Sequence, residues 1–385
     1  MTATLPLIRA DRVDEDSIRA LPKAEVHVHL EGGFEPADLV ELAAAAGEPL
    51  PGPAGSLFDL ATHYAAPDAT ETPEAGTATG GVGVAGLGGF LRFLDWQCGL
   101  VRTAEQAARV AYRFAARESA SGVRYADVIV NPTHWSAWRG RTPELVDALS
   151  AGFAEAEHDG LAATGLCVSL LRTQSASEAR GLVEWLADAR PERVVALSVD
   201  GDERATGRTG AKFAEAFTLA RAAGIRRTVH AGESSGPEGV WDAIDLLHAE
   251  RIDHGVRSID DPALVSRLAD DGIPLGICPR SNLSLGVYPD WESHPVERLR
   301  QAGVTITVNT DDPAPLGTRL EAEWAMCADT FGWSPAGLVD LARASVRASF
   351  ANDDVKRDLL ADLAAVASRE NFSDAAPAAR AESAS

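Results

Sequence analysis

Eight short apolar runs punctuate the chain, and most are separated by stretches that carry apolar residues at helical spacing. They are Glu25–Leu30, Val123–Val130, Gly165–Leu171, Val194–Asp200, Arg227–Ala231, Arg251–His254, Ile273–Cys278 and Val304–Asn309. The intervening patterns predict helices over Glu105–Glu118, Glu144–His158, Glu178–Ala189, Ala211–Ala223, Val240–Ala249 and Pro262–Asp270, with a further one opening at Pro295. Gly224, Gly272 and Gly303 follow three of them as stop signals. Strands alternating with helices predict parallel βαβ units, and eight such units close on themselves as a (β/α)8 TIM barrel of the α/β class. The rival, an open doubly wound sheet, calls for a Gly-rich phosphate loop after the first strand, and none follows it.

The spacing of the runs is uneven in one place. A large insertion, residues 32–122, separates the first two strands, and helical patterns continue past the eighth strand. One domain is therefore expected over 1–373, followed by a disordered Ala- and Ser-rich tail over 374–385. Within the insertion, 67–89 is rich in Gly, Ala, Thr and Pro and cannot bury enough apolar area to order itself unaided. It reads as a lid or as a mobile insertion. Phe93 and Trp96, just beyond it, are read either as closing over a flat substrate or as a packed helix face.

Composition narrows the class. A length of 385 residues with 45% hydrophobic positions suits one barrel with insertions. The formal charge of −22 repels nucleic acid and anionic membrane at long range, so neither is an expected partner. Cys98, Cys167, Cys278 and Cys327 show no paired spacing and read as reduced thiols, which points to the cytoplasm. No secretory signal or membrane-length apolar run is visible.

Candidate chemistry starts at His27-Val28-His29. Residues two apart on a strand point the same way, so both imidazoles project together. On its own such a pair is core or surface more often than ligand. The clusters HAGE (His230–Glu233), DHG (Asp253–Gly255) and NTDDP (Asn309–Pro313) change its meaning, because each falls at the C-terminal end of a predicted strand. That end is the catalytic face of such barrels. Three His and one Asp from strands one, five and eight make a four-donor set that suits zinc, although iron or manganese fits the same donors. With zinc the net charge is near +1, and the pKa of a bound water falls toward neutrality. Asp311 and Asp312 adjoin, and they repel unless a cation or proton donor stands between them.

The ordered set HVHLEGG, HAGES, DHG, CPRSN and VNTDDP resembles the motif series of the adenosine deaminase family, within the amidohydrolase superfamily. The likeness runs from Leu21 to about Gly317. It implies one zinc per chain on His27, His29, His230 and Asp311. It implies Glu233 as the acid that protonates ring nitrogen N1, and His254 as the group that positions the water and helps deprotonate it. Asp312 becomes the contact to N7, and Gly201 a backbone donor to the purine edge. The implied reaction is hydrolytic deamination of a 6-aminopurine nucleoside or base with release of ammonia. Adenine itself or a modified aminopurine nucleoside is the alternative substrate. The chemistry agrees independently: addition at C6 breaks ring conjugation, protonating N1 makes it feasible, and burial favours a protonated Glu233.

Departures from the family pattern bear on the substrate. Glu31 stands where many adenosine deaminases have a ribose-contacting Asp, which looks more like adenine deaminases. Ser293 to Thr318 looks closer to bacterial adenosine deaminases. Asp200 replaces a small residue before Gly201, and Ile129 an Arg common in the family. Glu31 and Asp200 together predict an acidic rim that accepts bases or nucleosides and rejects monophosphates. Arg280 is placed either to offset that rim or to pair with a structural acid. His134, Trp135 and Trp138 line the pocket mouth or pack as a loop. His63, His158, His248 and His294 are assigned to structure or solvent. Two rivals remain. An amide-cleaving amidohydrolase often needs a carboxylated lysine, yet Lys212 falls in a helix and Lys23 before the first strand. A non-catalytic nucleoside-binding barrel would be expected to have lost Glu233 or His254. Oligomeric state is not legible.

Overall fold

The computed structural model describes residues 14–58 and 86–369. The β-branched and aliphatic runs form β1 (Lys23–His29), β2 (Val123–Val130), β3 (Ala163–Leu171), β4 (Val194–Asp200), β5 (Arg226–Ala231), β6 (Arg251–His254), β7 (Leu275–Ile277) and β8 (Ile306–Val308). They lie side by side in chain order, every neighbouring pair parallel. The ring closes where the chain beyond β8 returns to β1. His29 N donates to the Asp311 carbonyl at 2.8 Å, and Asp311 N to the His27 carbonyl at 3.2 Å. The (β/α)8 expectation holds.

Strand lengths differ from the hydrophobic runs for local reasons. β7 is shorter than Ile273–Cys278 because Pro274 has no N–H for the ladder, and Cys278 already leads into the helix Pro279–Ser284. At β8, Val304 N is taken by the Leu299 carbonyl at 3.1 Å, so that residue belongs to the helix exit rather than the sheet. Lys23 is the first residue of β1, a correction to its placement before the strand. Its ammonium is buried at the N-terminal end, donating to the carbonyls of Ile18 and Leu21, so it supplies no lysine to the catalytic face.

The helices follow their caps. Thr103 and Ser175 each close a capping box, on Ala104–Ala120 and Ala176–Ala189. Asp261 caps Pro262–Asp271, and Gly272 ends it at φ +66°. The predicted helix Val240–Ala249 stops earlier, as Glu238–Asp245. In the insertion, Pro36–Ala46, Gly86–Gly99 and Ala104–Ala120 are helical, so the last four residues of 67–89 begin a helix and the remainder lies outside the described residues. His63 and the 374–385 tail lie outside them too. Three helices, Leu320–Phe331, Pro335–Ala348 and Asp353–Arg369, follow β8, as the pattern beyond it predicted.

Apolar side chains between strands and helices form one continuous core. The barrel axis is filled separately. Ile129, Cys167 and Ala196 pack with Phe350, above which Arg251 stacks at 4.3 Å while bonding Asp127 at 2.6 Å. Phe350 N also donates to Asp127 at 2.9 Å, which plugs the N-terminal end of the barrel. The other end stays polar. Among the described residues no helix is long and apolar enough to cross a membrane.

Candidate active site

Four side chains from β1, β5 and the turn after β8 meet at the C-terminal end of the barrel. His230 Nε2 lies 3.1 Å from His27 Nε2 and 3.0 Å from His29 Nε2. Asp311 Oδ1 is 3.3 Å from His27 Nε2 and 3.4 Å from His29 Nε2. One donor atom from each of the four falls within 4.8 Å of the others. Tetrahedral ligands at zinc bond lengths stand about 3.3 Å apart, so the spacing fits that ion. Ring orientation agrees. His27 Nδ1 is engaged by the Gly276 carbonyl at 2.7 Å, which leaves Nε2 for the centre. His230 Nδ1 faces Asp253 at 3.7 Å.

Electrostatics point the same way. Burial opposes charge on His27, yet Asp253 and Asp311 outweigh it and hold the ring up at about 9. Burial likewise opposes the Asp311 anion, but the imidazoles of His27, His254 and His29 keep its carboxyl well below the usual range. His230 is driven well down by burial and by the other three rings. A centre where buried carboxylates draw positive charge onto His27 while His230 is driven neutral is built for a cation. A second overlapping set, His27, His254, Cys278 and Asp311, is less suited. It would need His27 Nδ1, already hydrogen-bonded, and a Cys278 thiol that burial and nearby carboxylates push far up.

Beside this centre a chain of hydrogen bonds fixes His254. Val296 N–H donates to His294 Nδ1 at 3.3 Å, so the proton of that neutral ring sits on Nε2. His294 Nε2 donates to Asn282 Oδ1 at 3.1 Å, which turns the Asn282 amide toward the site. Asn282 Nδ2 then donates to Glu233 Oε1 at 3.1 Å and to His254 Nδ1 at 3.3 Å. His254, lowered to about 3 by burial and the His27 charge, is neutral and carries its proton on Nε2. That nitrogen lies 3.5 Å from Glu233 and 3.8 Å from Asp311. Ser281 Oγ donates to Asp311 Oδ2 at 2.6 Å. His254 and Asp311 both hold positive φ, +65° and +67°, a cost spent at the site itself.

Glu233 is pushed up to about 8, first by burial and then by the charges of Asp311 and Glu203. Asp312 is held far above the usual range by burial, Asp311, Glu31, Asp200 and Glu233. Gly32 backs against Asp312 so closely that a Cβ there would overlap its side chain. Gly201 adopts φ +102°, and a Cβ would stand 2.9 Å from Leu171. Glu31 Oε1 accepts from the Trp135 indole at 2.7 Å and from Asn131 N at 2.9 Å, while Asn131 Nδ2 bonds Asp200. Gln97, on the helix Gly86–Gly99, donates to the Glu31 carbonyl. Burial raises the Glu31 carboxyl. Three buried oxygens in this group, Glu31 Oε2, Asp200 Oδ2 and Asp312 Oδ1, have no hydrogen-bond partner.

A family model described as adenosine deaminase matches residues 22–366. An adenine deaminase from Cupriavidus metallidurans is 33% identical over 363 residues, covering 94% of each chain. The chain belongs to the adenosine deaminase family. The crystal structure of an adenine deaminase from Arthrobacter aurescens has a TM-score of 0.79 at 28% identity, covering 90% of this chain and 98% of that one. An amidohydrolase from Burkholderia ambifaria with bound zinc gives 0.79 at 27%, over 96% and 98%. An Arabidopsis protein complexed with IMP, 22% identical with a TM-score of 0.76, covers 92% and 98% and shares the fold. As a member of the adenosine deaminase family the chain is a metal-dependent hydrolytic deaminase acting on an aminopurine.

Several supports of this deaminase site escaped the sequence reading. Ser281 and Asn282 lie inside CPRSN, where two polar side chains on a strand-to-helix turn were a usable signal. His294 was assigned to structure or solvent; it is buried and structural, and it steers Asn282. Trp135 proves to be a buried buttress for Glu31, and Trp138 donates to the Val101 carbonyl at 2.8 Å. His134 pairs with Asp95 at 2.7 Å. Arg280 bonds Glu323 at 2.6 Å, the structural pairing. Phe93 is fully buried against Phe58 and Trp96, the packed helix face.

Proposed function

We propose that this deaminase acts on adenine as the free base, with one zinc ion held by His27, His29, His230 and Asp311. The carrying observation is the group of three partnerless buried oxygens on Glu31, Asp200 and Asp312. A free base offers an N9–H and ring nitrogens to such a wall. A nucleoside has its N9 blocked by a sugar and so lacks the N9–H donor that a free base offers to these oxygens. The wall is also stiff, since Trp135 and Asn131 hold Glu31 in place and Asn131 ties in Asp200. Full-length relatives named adenine deaminase support the same reading. Buried carboxyl groups at the rim disfavour a phosphate, which supports the free base over AMP.

A zinc ion in the four-donor set supplies Lewis-acid activation of a water molecule. The protein does the rest. His254, neutral with its proton on Nε2, orients that water. Glu233, protonated at neutral pH, passes its proton to N1 as C6 is attacked. Asp312, neutral, donates to N7, and the Gly201 N–H holds the purine edge. Once its proton is on N1, the Glu233 carboxylate takes a proton from the oxygen added at C6 and passes it to the exocyclic nitrogen, which leaves as ammonia. It then takes the second proton of that oxygen, so that adenine becomes hypoxanthine and Glu233 is again protonated. The four cysteines, all buried and unbridged, support a reducing cytoplasmic setting.

Purified zinc-loaded protein, followed by ultraviolet absorbance, tests this on adenine, adenosine and AMP. Adenine should exceed adenosine in kcat/KM by at least about 100-fold, with AMP inert and a chelator abolishing turnover. Preference for adenosine would overturn the base assignment, and turnover of AMP the acidic rim. Silence toward every aminopurine would favour an amide-cleaving or purely binding barrel.

A further inference from the structure

β4 and β5 pair only at Ala196↔Arg226 and Leu197↔Arg227. Above that level the two strands part, which leaves β5 carbonyls without ladder partners on that side. Arg172, the residue after β3, fills the gap. Its backbone N–H donates to the Asp200 carbonyl at 2.9 Å, and its guanidinium reaches across to the His230 carbonyl and to Thr209 Oγ1 at 2.7 Å. Glu203, in the short turn Glu203–Thr206 after β4, continues the junction. Its carboxylate accepts four successive backbone N–H groups: Gly232 at 3.0 Å, Glu233 at 2.9 Å, Ser234 at 3.1 Å and Ser235 at 3.3 Å. Arg172 Nη2 stands 3.6 Å from that carboxylate, and both side chains are buried.

We propose that Glu203 and Arg172 are positioning residues for the deamination, a clamp that replaces the missing β4–β5 ladder and aims Glu233 at the purine ring. One charged group gathers the donors of the whole turn that carries Glu233. Its cationic partner holds the carbonyl of the neighbouring ligand His230. Neither side chain bonds the Glu233 carboxyl; the clamp holds it through the backbone, and the nearby Glu203 charge adds to its hold on the Glu233 proton. Gly232, at φ +65° with Val240 packed against it, lets the turn close onto the carboxylate. This goes beyond the choice of substrate and holds for any aminopurine.

The test compares zinc-loaded full-length wild type with Glu203→Gln and Glu203→Asp, on whichever aminopurine wild type turns over fastest. The Gln variant places an N–H2 among N–H donors, and its kcat should fall by about 10- to 100-fold with KM within about twofold and zinc content unchanged. The Asp variant, which keeps the charge, should fall between. A Gln variant with wild-type kcat, a kcat loss matched by lost zinc, or Asp and Gln variants of equal rate would overturn the clamp. Should the Gln variant not fold, the Asp variant carries the test by the same split. Hydrogen exchange reads the clamp without turnover. Protection should be lost at the amides of residues 232–235 in the variant, and unchanged protection there would refute it, whatever the substrate.

Discussion

Asp311 and Asp312 adjoin in the chain and Glu233 lies close to both, yet their protonation differs sharply. Asp311 is held well below the usual range because imidazoles surround it, whereas Asp312, buried and facing other carboxyls, is held well above it. Glu233 falls between them, protonated up to about 8. The sign of the resulting pH dependence follows from its proposed role as an acid. Below that pH the proton for N1 is present; as pH rises through it the proton is lost, so kcat/KM should decline on the alkaline side. Glu233→Gln removes the proton but keeps the shape and the Asn282 contact. Turnover should drop by about 100- to 10,000-fold while zinc content stays at the wild-type level. A pH–rate profile together with elemental analysis checks both. A variant that retained rate and alkaline limb would move the acid elsewhere, with Asp312 the next candidate.

At the scale of strands and turns, what could be read was what lies on one segment. Alternation placed the strands, and polar clusters at their ends placed His27, His29, His230, Glu233, His254 and Asp311, because each motif reports its own local geometry. Contacts between segments were not legible. Asn131 and Trp135, one turn beyond β2, grip Glu31 from 100 and 104 residues away, and no spacing rule links them. The parting of β4 from β5 was equally hidden, since Val194–Asp200 and Arg227–Ala231 read as ordinary strands. The Glu31 grip has its own consequence. Trp135→Phe keeps the ring but removes the indole N–H, leaving a buried carboxyl oxygen with one donor fewer. The expected cost is about 1–3 kcal/mol of stability, read as a lowered unfolding midpoint. The looser wall should also narrow the ratio of adenine to adenosine kcat/KM. An unchanged ratio would mean that Glu31 does not discriminate base from nucleoside.

On the scale of the whole molecule, the barrel has two seams. One is the partial β4–β5 pairing, and the other is the β8–β1 closure through the single bridge Val28↔Asp311. The proposed zinc donors straddle the second seam, with His27 and His29 on β1 and Asp311 beyond β8, while His230 on β5 borders the first. The opposite end of the barrel is closed independently, by Arg251, Asp127 and Phe350. A cation bound only by the folded arrangement stabilises it by mass action, about 4 kcal/mol when free metal exceeds its Kd by 1,000-fold. Chelation should therefore lower the unfolding midpoint by several degrees, and added zinc should restore it. The loss should be uneven. Hydrogen exchange should quicken first at His27–His29 and Asn309–Asp312, where the sheet depends on the donors meeting, and little at β2 and β3, whose ladder is continuous. Uniform destabilisation would argue that the seams close without the ion and that the four donors serve chemistry alone.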